Sequence, residues 1–139
     1  MGYEAVSAGL QEVLAGIEEL ALVLDYEPDT VQQTPLVYSI VDGRQEEVEG
    51  SVVRVTYRTL HRLVLSYQNP EVAEALLRSL LDLVPAAVRA QHDLVGVGPG
   101  DAWISRGEPG WVWIGGTWFR SVDFYSEVTT RESLWALGG

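Results

Sequence analysis

A chain of 139 residues fits one domain with a single hydrophobic core, and the absence of cysteine excludes disulfides, zinc ribbons, iron–sulfur ligation and thiolate nucleophiles. Hydrophobic residues make up 47% and charged residues 21% of the chain, which is typical of globular proteins and argues against wholesale disorder. The net charge of −11 opposes nucleic-acid binding through phosphate neutralisation, and residues 1–49 carry most of it, with eleven acids against one base.

The first predicted element is a helix of about five turns over residues 6–24. Its apolar side chains recur at steps of three and four, at Val6, Leu10, Val13, Leu14, Ile17, Leu20, Ala21 and Leu24. Residues 25–35, which include Pro28, are predicted to form a crossing loop. The longest apolar run is far shorter than the ~18 residues of a membrane helix, so we expect no membrane partner. Residues 1–4 lack the basic start of a signal peptide, so we expect an unexported protein.

A long β-hairpin is predicted over residues 36–67. The β-branched and aromatic run 36–41 favours a first strand, residues 42–50 an acidic loop or hairpin tip, and the alternation of residues 51–67 a second strand. Fully extended, the second strand would span ~50 Å at ~3.3 Å per residue. That length exceeds the ~37 Å diameter expected for a domain of this size. The strand is therefore predicted either to bend or to project with its partner as an arm.

A second helix is predicted to start at Asn69-Pro70, which supply an N-cap and a first helical residue. A leucine-rich apolar stripe continues to Val84, and Pro85 is expected to kink or restart the helix, which then extends to residue 91. The glycines of residues 93–101 predict a connector before the last part of the chain.

A β-meander is predicted for that last part, with strands over residues 102–105, 111–114 and 117–128 and a two-residue turn at Gly115-Gly116. The predicted fold class is then α+β. The elements follow the order α-β-β-α-β-β, and a third strand of the meander adds one more β at the end. We expect a mixed or antiparallel sheet of about four to five strands, with two main helices on one face. Residues 1–130 are predicted to form the domain and residues 131–139 a C-terminal tail.

The titratable residues predict no catalytic site, and we expect no enzyme activity, no metal and no cofactor. His61 has the parity of the apolar residues in the long strand and is expected to be half-buried or at a subunit contact. His92, beside Asp93, is expected on the surface at a helix end. The glycine-rich segment 96–100 does not predict a phosphate-binding loop, because it lacks the lysine and the hydroxyl residue of a Walker motif. The acids of residues 42–49 lack the spacing of a calcium loop.

The arginine row, defined as Arg54, Arg58 and Arg62, is the most informative surface feature of the sequence. Steps of four place all three on one face of a strand, where like charges repel unless acids cover them. One source of these acids is the same chain, either its first helix or Glu46, Glu47 and Glu49. The other source is a neighbouring copy. In that case the row, the three glutamates and Trp135 of the tail form a subunit interface.

Three tryptophans flank the predicted Gly115-Gly116 hairpin, at Trp111, Trp113 and Trp118. Aromatic pairs across strands usually stabilise a sheet. A ligand or partner surface is the alternative interpretation.

Several segments resemble the tail terminator, or tail-completion, proteins of long-tailed bacteriophages. They are Pro35-Leu36-Val37-Tyr38, Tyr57-Arg58-Thr59-Leu60-His61-Arg62, Leu83-Val84-Pro85 and Ile114-Gly115-Gly116-Thr117-Trp118-Phe119-Arg120. The order of the predicted elements also resembles that family, and the resemblance covers roughly residues 8–130. The acidic residues 42–50 and the tail after residue 131 depart from the family's pattern.

This resemblance implies a virion protein, soluble in the host cytoplasm before assembly, that forms a ring, commonly a hexamer, at the head-proximal end of the tail tube. The ring would stop tube growth and contact the tail-tube protein and the head connector or neck protein. DNA would pass through it without specific binding. The family has no catalytic residues to carry over.

Two alternatives remain open at this point. A neck or head-completion protein of the same joint is one, since small α+β domains recur there. An acidic DNA mimic that inhibits a DNA-binding enzyme is the other, favoured by the net charge but opposed by the arginine row and by the crowding of acids into residues 1–49.

Overall fold

The computed structural model describes residues 2–90 and 101–134. Its elements are α1 (Tyr3–Ala15), β1 (Leu22–Leu24), β2 (Leu36–Glu49), β3 (Val52–Leu65), α2 (Pro70–Ala90), β4 (Ala102–Ile114) and β5 (Thr117–Ser133). The strands form one mixed sheet in the order β1-β2-β3-β5-β4, in which β1 is parallel to β2 and the other pairs are antiparallel. The predicted α+β class, with two helices and a five-stranded mixed sheet, is confirmed.

Both helices pack on the same face of the sheet, which we call the helix face. Two clusters of buried side chains join the helices to that face. Leu14, Ile17, Leu77, Leu80 and Val84 contribute to one of them, and Val6, Leu10 and Val88 to the other. The predicted start of α2 is confirmed, because Asn69 Oδ1 accepts the N–H of Val72 at 3.3 Å. Pro85 lies within α2 without ending it.

The first helix is shorter than predicted. It ends at Ala15, where the N–H of Gly16 is donated to the carbonyls of Glu12 and Val13. Residues 22–24, which fit the end of the helical stripe, instead form β1 and pair in parallel with residues 36–38. A short apolar run suits a helix end or a buried strand equally well, and here the non-local pairing decides the outcome.

The long hairpin exists but does not project as an arm. Residues 42–49, predicted as a loop or tip, belong to β2, and the turn lies at residues 50–51. β5 pairs with β3 along its whole length, from Val52 opposite Ser133 to Leu65 opposite Arg120. The first half of β3 is buried against both helices, with Val55 and Tyr57 at most 2% exposed. Of the two alternatives, the arm is wrong, because β5 lies beside the strand and both helices pack beneath it.

The meander also differs from its prediction. Residues 102–114 form one strand with a bulge between Ile104 and Arg106, although Gly107-Glu108-Pro109-Gly110 reads as a turn. The turn at Gly115-Gly116 is confirmed, and both glycines have positive φ. Residues 131–133, assigned to the tail, extend β5. Predictions for His92, the glycine connector of residues 93–100 and Trp135 lie outside the described residues.

The face of the sheet away from the helices, which we call the open face, is covered only at one end in the described part of the chain. There Val31 of the crossing loop packs with Leu36, Tyr38, Val64 and Ile114. The rest of this face carries charged side chains from β2, β3 and β5. The fold therefore leaves one broad sheet surface available.

Candidate functional site

The arginine row lies on the open face, as its spacing predicts, and β5 supplies acids opposite two of its members. Arg62 Nε and Nη2 donate to the two carboxylate oxygens of Asp123 at 2.7 and 3.1 Å, and Nη1 donates to the Tyr38 hydroxyl at 3.1 Å. Arg58 donates to Glu127 at 3.1 Å and to Gln45 at 2.9 Å. The Asp123 carboxylate raises the pKa of the Arg62 guanidinium, so this arginine stays charged.

Glutamates of β2 cover the third arginine. Arg54 contacts Glu47 at 2.6 Å and Glu49 at 3.1 Å, whereas Glu46 contacts Arg44 at 2.7 Å. Of the two sources of acids left open by the sequence, the same chain therefore supplies them, from β2 and β5 and not from α1. A subunit interface at the row stays a prediction that these contacts do not require.

The β5 partners were not predicted, although the sequence contains a signal for them. Asp123 and Glu127 are four residues apart, like Arg62 and Arg58. In an antiparallel pair, equal steps of four place the two sets directly opposite each other, and the register pairs Arg62 with Asp123 and Arg58 with Glu127.

Charge reversal at Arg58 tests whether its pairing is internal. We expect Arg58→Glu to lower the free energy of unfolding by about 1 kcal/mol, because it places a carboxylate opposite that of Glu127. Adding Glu127→Arg should restore most of the loss, measured by urea unfolding of both single variants and the double variant. If Arg58→Glu leaves stability unchanged and only impairs assembly, the row acts between subunits instead.

His61 occupies a buried polar layer on the helix face, not the half-buried position or subunit contact that was expected. The side chain has no exposed surface. Its Nδ1 lies 2.6 Å from Ser39 Oγ, and its Nε2 lies 2.7 Å from Ser126 Oγ. Burial lowers the pKa of His61 to about 4, so the ring is neutral at pH 7.

The neighbours of His61 favour one direction for these hydrogen bonds. Ser126 donates its hydroxyl hydrogen to the carbonyl of Thr59 at 3.3 Å, so its oxygen accepts from His61 Nε2–H. Nδ1 is then the acceptor for Ser39, whose oxygen accepts from the Gln11 amide at 3.2 Å. The chain links α1 to three strands. No substrate can reach a serine that is 4% or less exposed, so this serine–histidine arrangement is structural.

A cleft lies at the end of the sheet where β3 stops and the β4–β5 hairpin extends past it. Its volume is about 630 Å³, and it opens between this hairpin, the crossing loop and the β3–α2 connection. The crossing loop reaches the hairpin turn, because a Cβ at Gly115 would lie 3.4 Å from the Asp29 carbonyl. Trp111 and Trp118 line the cleft. Sequence reasoning identified these tryptophans but not the loop that makes a cleft beside them.

Part of the tryptophan prediction agrees with the contacts. The rings of Trp113 and Trp118 pack against each other across the hairpin, with their centroids 5.3 Å apart. Trp111 packs edge-on against Tyr67 at 4.7 Å and lies under the Arg120 guanidinium at 5.1 Å. All three tryptophans nevertheless remain at least half exposed. Packing within the sheet therefore buries at most half of each residue and leaves the rest available for a ligand or partner.

Other kinds of site have little support in the described residues. Residues 2–90 and 101–134 contain no group of three histidine, aspartate or glutamate side chains that could hold a metal ion. In the same part of the chain, no helix combines the length and apolarity needed to cross a bilayer.

Comparison with known proteins adds no assignment. No protein-family model matches the chain, and no curated protein matches it.

Proposed function

We propose that this protein is a non-catalytic structural subunit of a tailed-phage virion, a tail terminator that forms a ring at the head-proximal end of the tail tube. The observation that supports the proposal is the pair of long open edges of the sheet. Within the described residues, β4 pairs with β5 alone, and β2 pairs with β1 only through residues 36–38. Unpaired strand edges are templates for pairing with another chain.

The two edges differ from each other, which favours a head-to-tail contact. Pairing the β2 edge with a second β2 edge would bring together the acids Glu46, Glu47 and Glu49 of both copies, and like charges across strands are destabilising. Pairing β2 of one copy with β4 of the next avoids this repulsion. Such a heterologous contact repeats around a ring when its rotation closes.

The charge distribution suits a ring through which DNA passes. The net charge of −11 repels phosphates, and Arg54, Arg58 and Arg62 are engaged with acids of their own chain. A phosphate would have to displace those acids to bind. The same ion pairs interrupt the acidic surface that a DNA mimic needs.

A charge placed on the β2 edge tests the contact. We expect Val48→Lys to abolish ring formation and capping of purified tail tubes, because lysine on an edge strand opposes pairing. Val72→Lys is the matched control, since Val72 lies on α2 and is 58% exposed, as Val48 is. Light scattering and electron microscopy of tubes with added protein provide the measurement, with circular dichroism to confirm folding of both variants.

The outcomes separate the contact from the function. If Val48→Lys caps tubes normally, the β2 edge is not the ring contact. If wild-type protein ignores tail tubes but binds a head connector, the neck-protein alternative replaces the terminator. A strict monomer that binds neither structure contradicts the proposal altogether.

A further inference from the structure

We propose that the cleft between the β4–β5 hairpin and the crossing loop binds a neutral oligosaccharide. Its volume of about 630 Å³ lies within the range of small-ligand sites. Its lining combines aromatic faces with uncharged polar side chains. The lining residues are Val31, Gln32, Gln33, Thr34, Ser66, Tyr67, Gln68, Trp111, Thr117, Trp118 and Phe119.

The absence of charged residues from this lining selects the class of ligand. The chain as a whole has 21% charged residues, yet no charged residue is among the described residues that line the cleft. A phosphate, carboxylate or ammonium group bound there would lose water without gaining an opposite charge, which is costly. The lining therefore disfavours nucleotides, acidic sugars and charged peptides.

The lining groups match the two surfaces of a sugar. A pyranose ring has apolar C–H faces, which pack on exposed indole rings, and Trp118 is 59% exposed. Its hydroxyls both donate and accept hydrogen bonds. The side-chain amides of Gln32, Gln33 and Gln68 also do both, and hydroxyls at Ser66 and Thr117 add to them.

One wall of the cleft is held in place before any ligand binds. Arg120 donates to Glu74 at 3.1 Å and to the Gly110 carbonyl at 2.9 Å, and in that position its guanidinium lies over the ring of Trp111. Tyr67 supports Trp111 edge-on. Fixed aromatic rings lose little conformational entropy on binding.

A proline-rich peptide also docks on aromatic grooves, but its free carbonyls are acceptors only. Three glutamine amides, with acceptors as well as donors, fit hydroxyls better. We therefore assign the cleft to a sugar and make the peptide an outcome of the test.

The experiment is isothermal titration of the full chain with maltohexaose, cellohexaose and chitohexaose, with a polygalacturonate oligomer as a charged control and polyproline as a peptide probe. We expect at least one neutral sugar to bind saturably in the millimolar range or tighter, and the charged oligomer not to bind. Trp118→Ala should weaken binding about tenfold. Gln68→Ala should also weaken sugar binding, because it removes a hydrogen-bonding amide and leaves the tryptophan rings unchanged.

Trp103→Ala is the matched control, because Trp103 is 53% exposed but lies on the open face near the other end of β4. It should bind the sugar as wild type does. The proposal fails if no neutral sugar binds, if Trp103→Ala weakens binding as much as Trp118→Ala, or if polyproline binds in place of the sugars. Circular dichroism of every variant excludes unfolding as the cause of lost binding.

Discussion

Lowering the pH from 7 to 4 is expected to cost the wild-type protein about 3 kcal/mol more unfolding free energy than it costs a His61→Gln variant. The pKa of His61 is about 4 in the folded protein because of burial, against an ordinary value of 6.5. Between these values the unfolded chain binds a proton at His61 and the folded protein does not. Stability from this residue is therefore complete above pH 6.5 and is lost progressively as the pH falls to 4.

Burial explains why the folded protein does not take up this proton. The imidazolium form would place a charge in a site with no exposed surface. The hydroxyls of Ser39 and Ser126 contact the two ring nitrogens but carry no net charge that would offset this cost.

Urea unfolding at a series of pH values measures this dependence. Because the two proteins differ only at residue 61, the difference between wild type and His61→Gln isolates the contribution of the histidine. Equal slopes for wild type and His61→Gln would show that His61 is accessible to protons in the folded protein.

The positions of the two helices could be predicted from the periodicity of their apolar residues, whereas the pairing of the strands could not. Steps of three and four located both helices, and Asn69-Pro70 marked the start of α2. The failure at residues 22–24 has a physical cause. Their parallel pairing with residues 36–38 depends on a contact that no local pattern records. The same limit hid the burial of β3, which depends on β5 and on both helices.

The candidate sites were predictable to different degrees. Alternation alone placed Arg54, Arg58 and Arg62 on one face, and matching steps in β5 were available to identify their partners. The cleft was not predictable, because Gln32 and Gln68 belong to irregular segments that approach Trp118 only in the folded chain. His61 was placed on the correct face, but its complete burial was not predicted, nor were its hydrogen-bond partners Ser39 and Ser126, which come from neighbouring strands.

Gly107 shows how a turn-forming residue can be required inside a strand. It lies opposite Phe124, and a Cβ at this position would approach Phe124 Cδ1 and Cε1 at 3.1 Å and Leu81 Cδ2 at 3.2 Å. Phe124 has no exposed surface and packs in the main core cluster, so it cannot move away easily. The glycine therefore permits close contact between β4, β5 and α2.

Gly107→Ala is accordingly expected to lower the free energy of unfolding by about 1–3 kcal/mol through overpacking. Gly110→Ala, three residues along the same strand, is the matched control, because among the described residues its Cβ would meet only Ser121 Oγ, at an ordinary 3.6 Å. That variant should be neutral or more stable by up to about 1 kcal/mol, since alanine reduces the entropy of the unfolded chain. Urea unfolding of both variants measures the difference. If the two substitutions have the same effect, the core around Phe124 yields more readily than its burial indicates, and the glycine at position 107 is not required by packing.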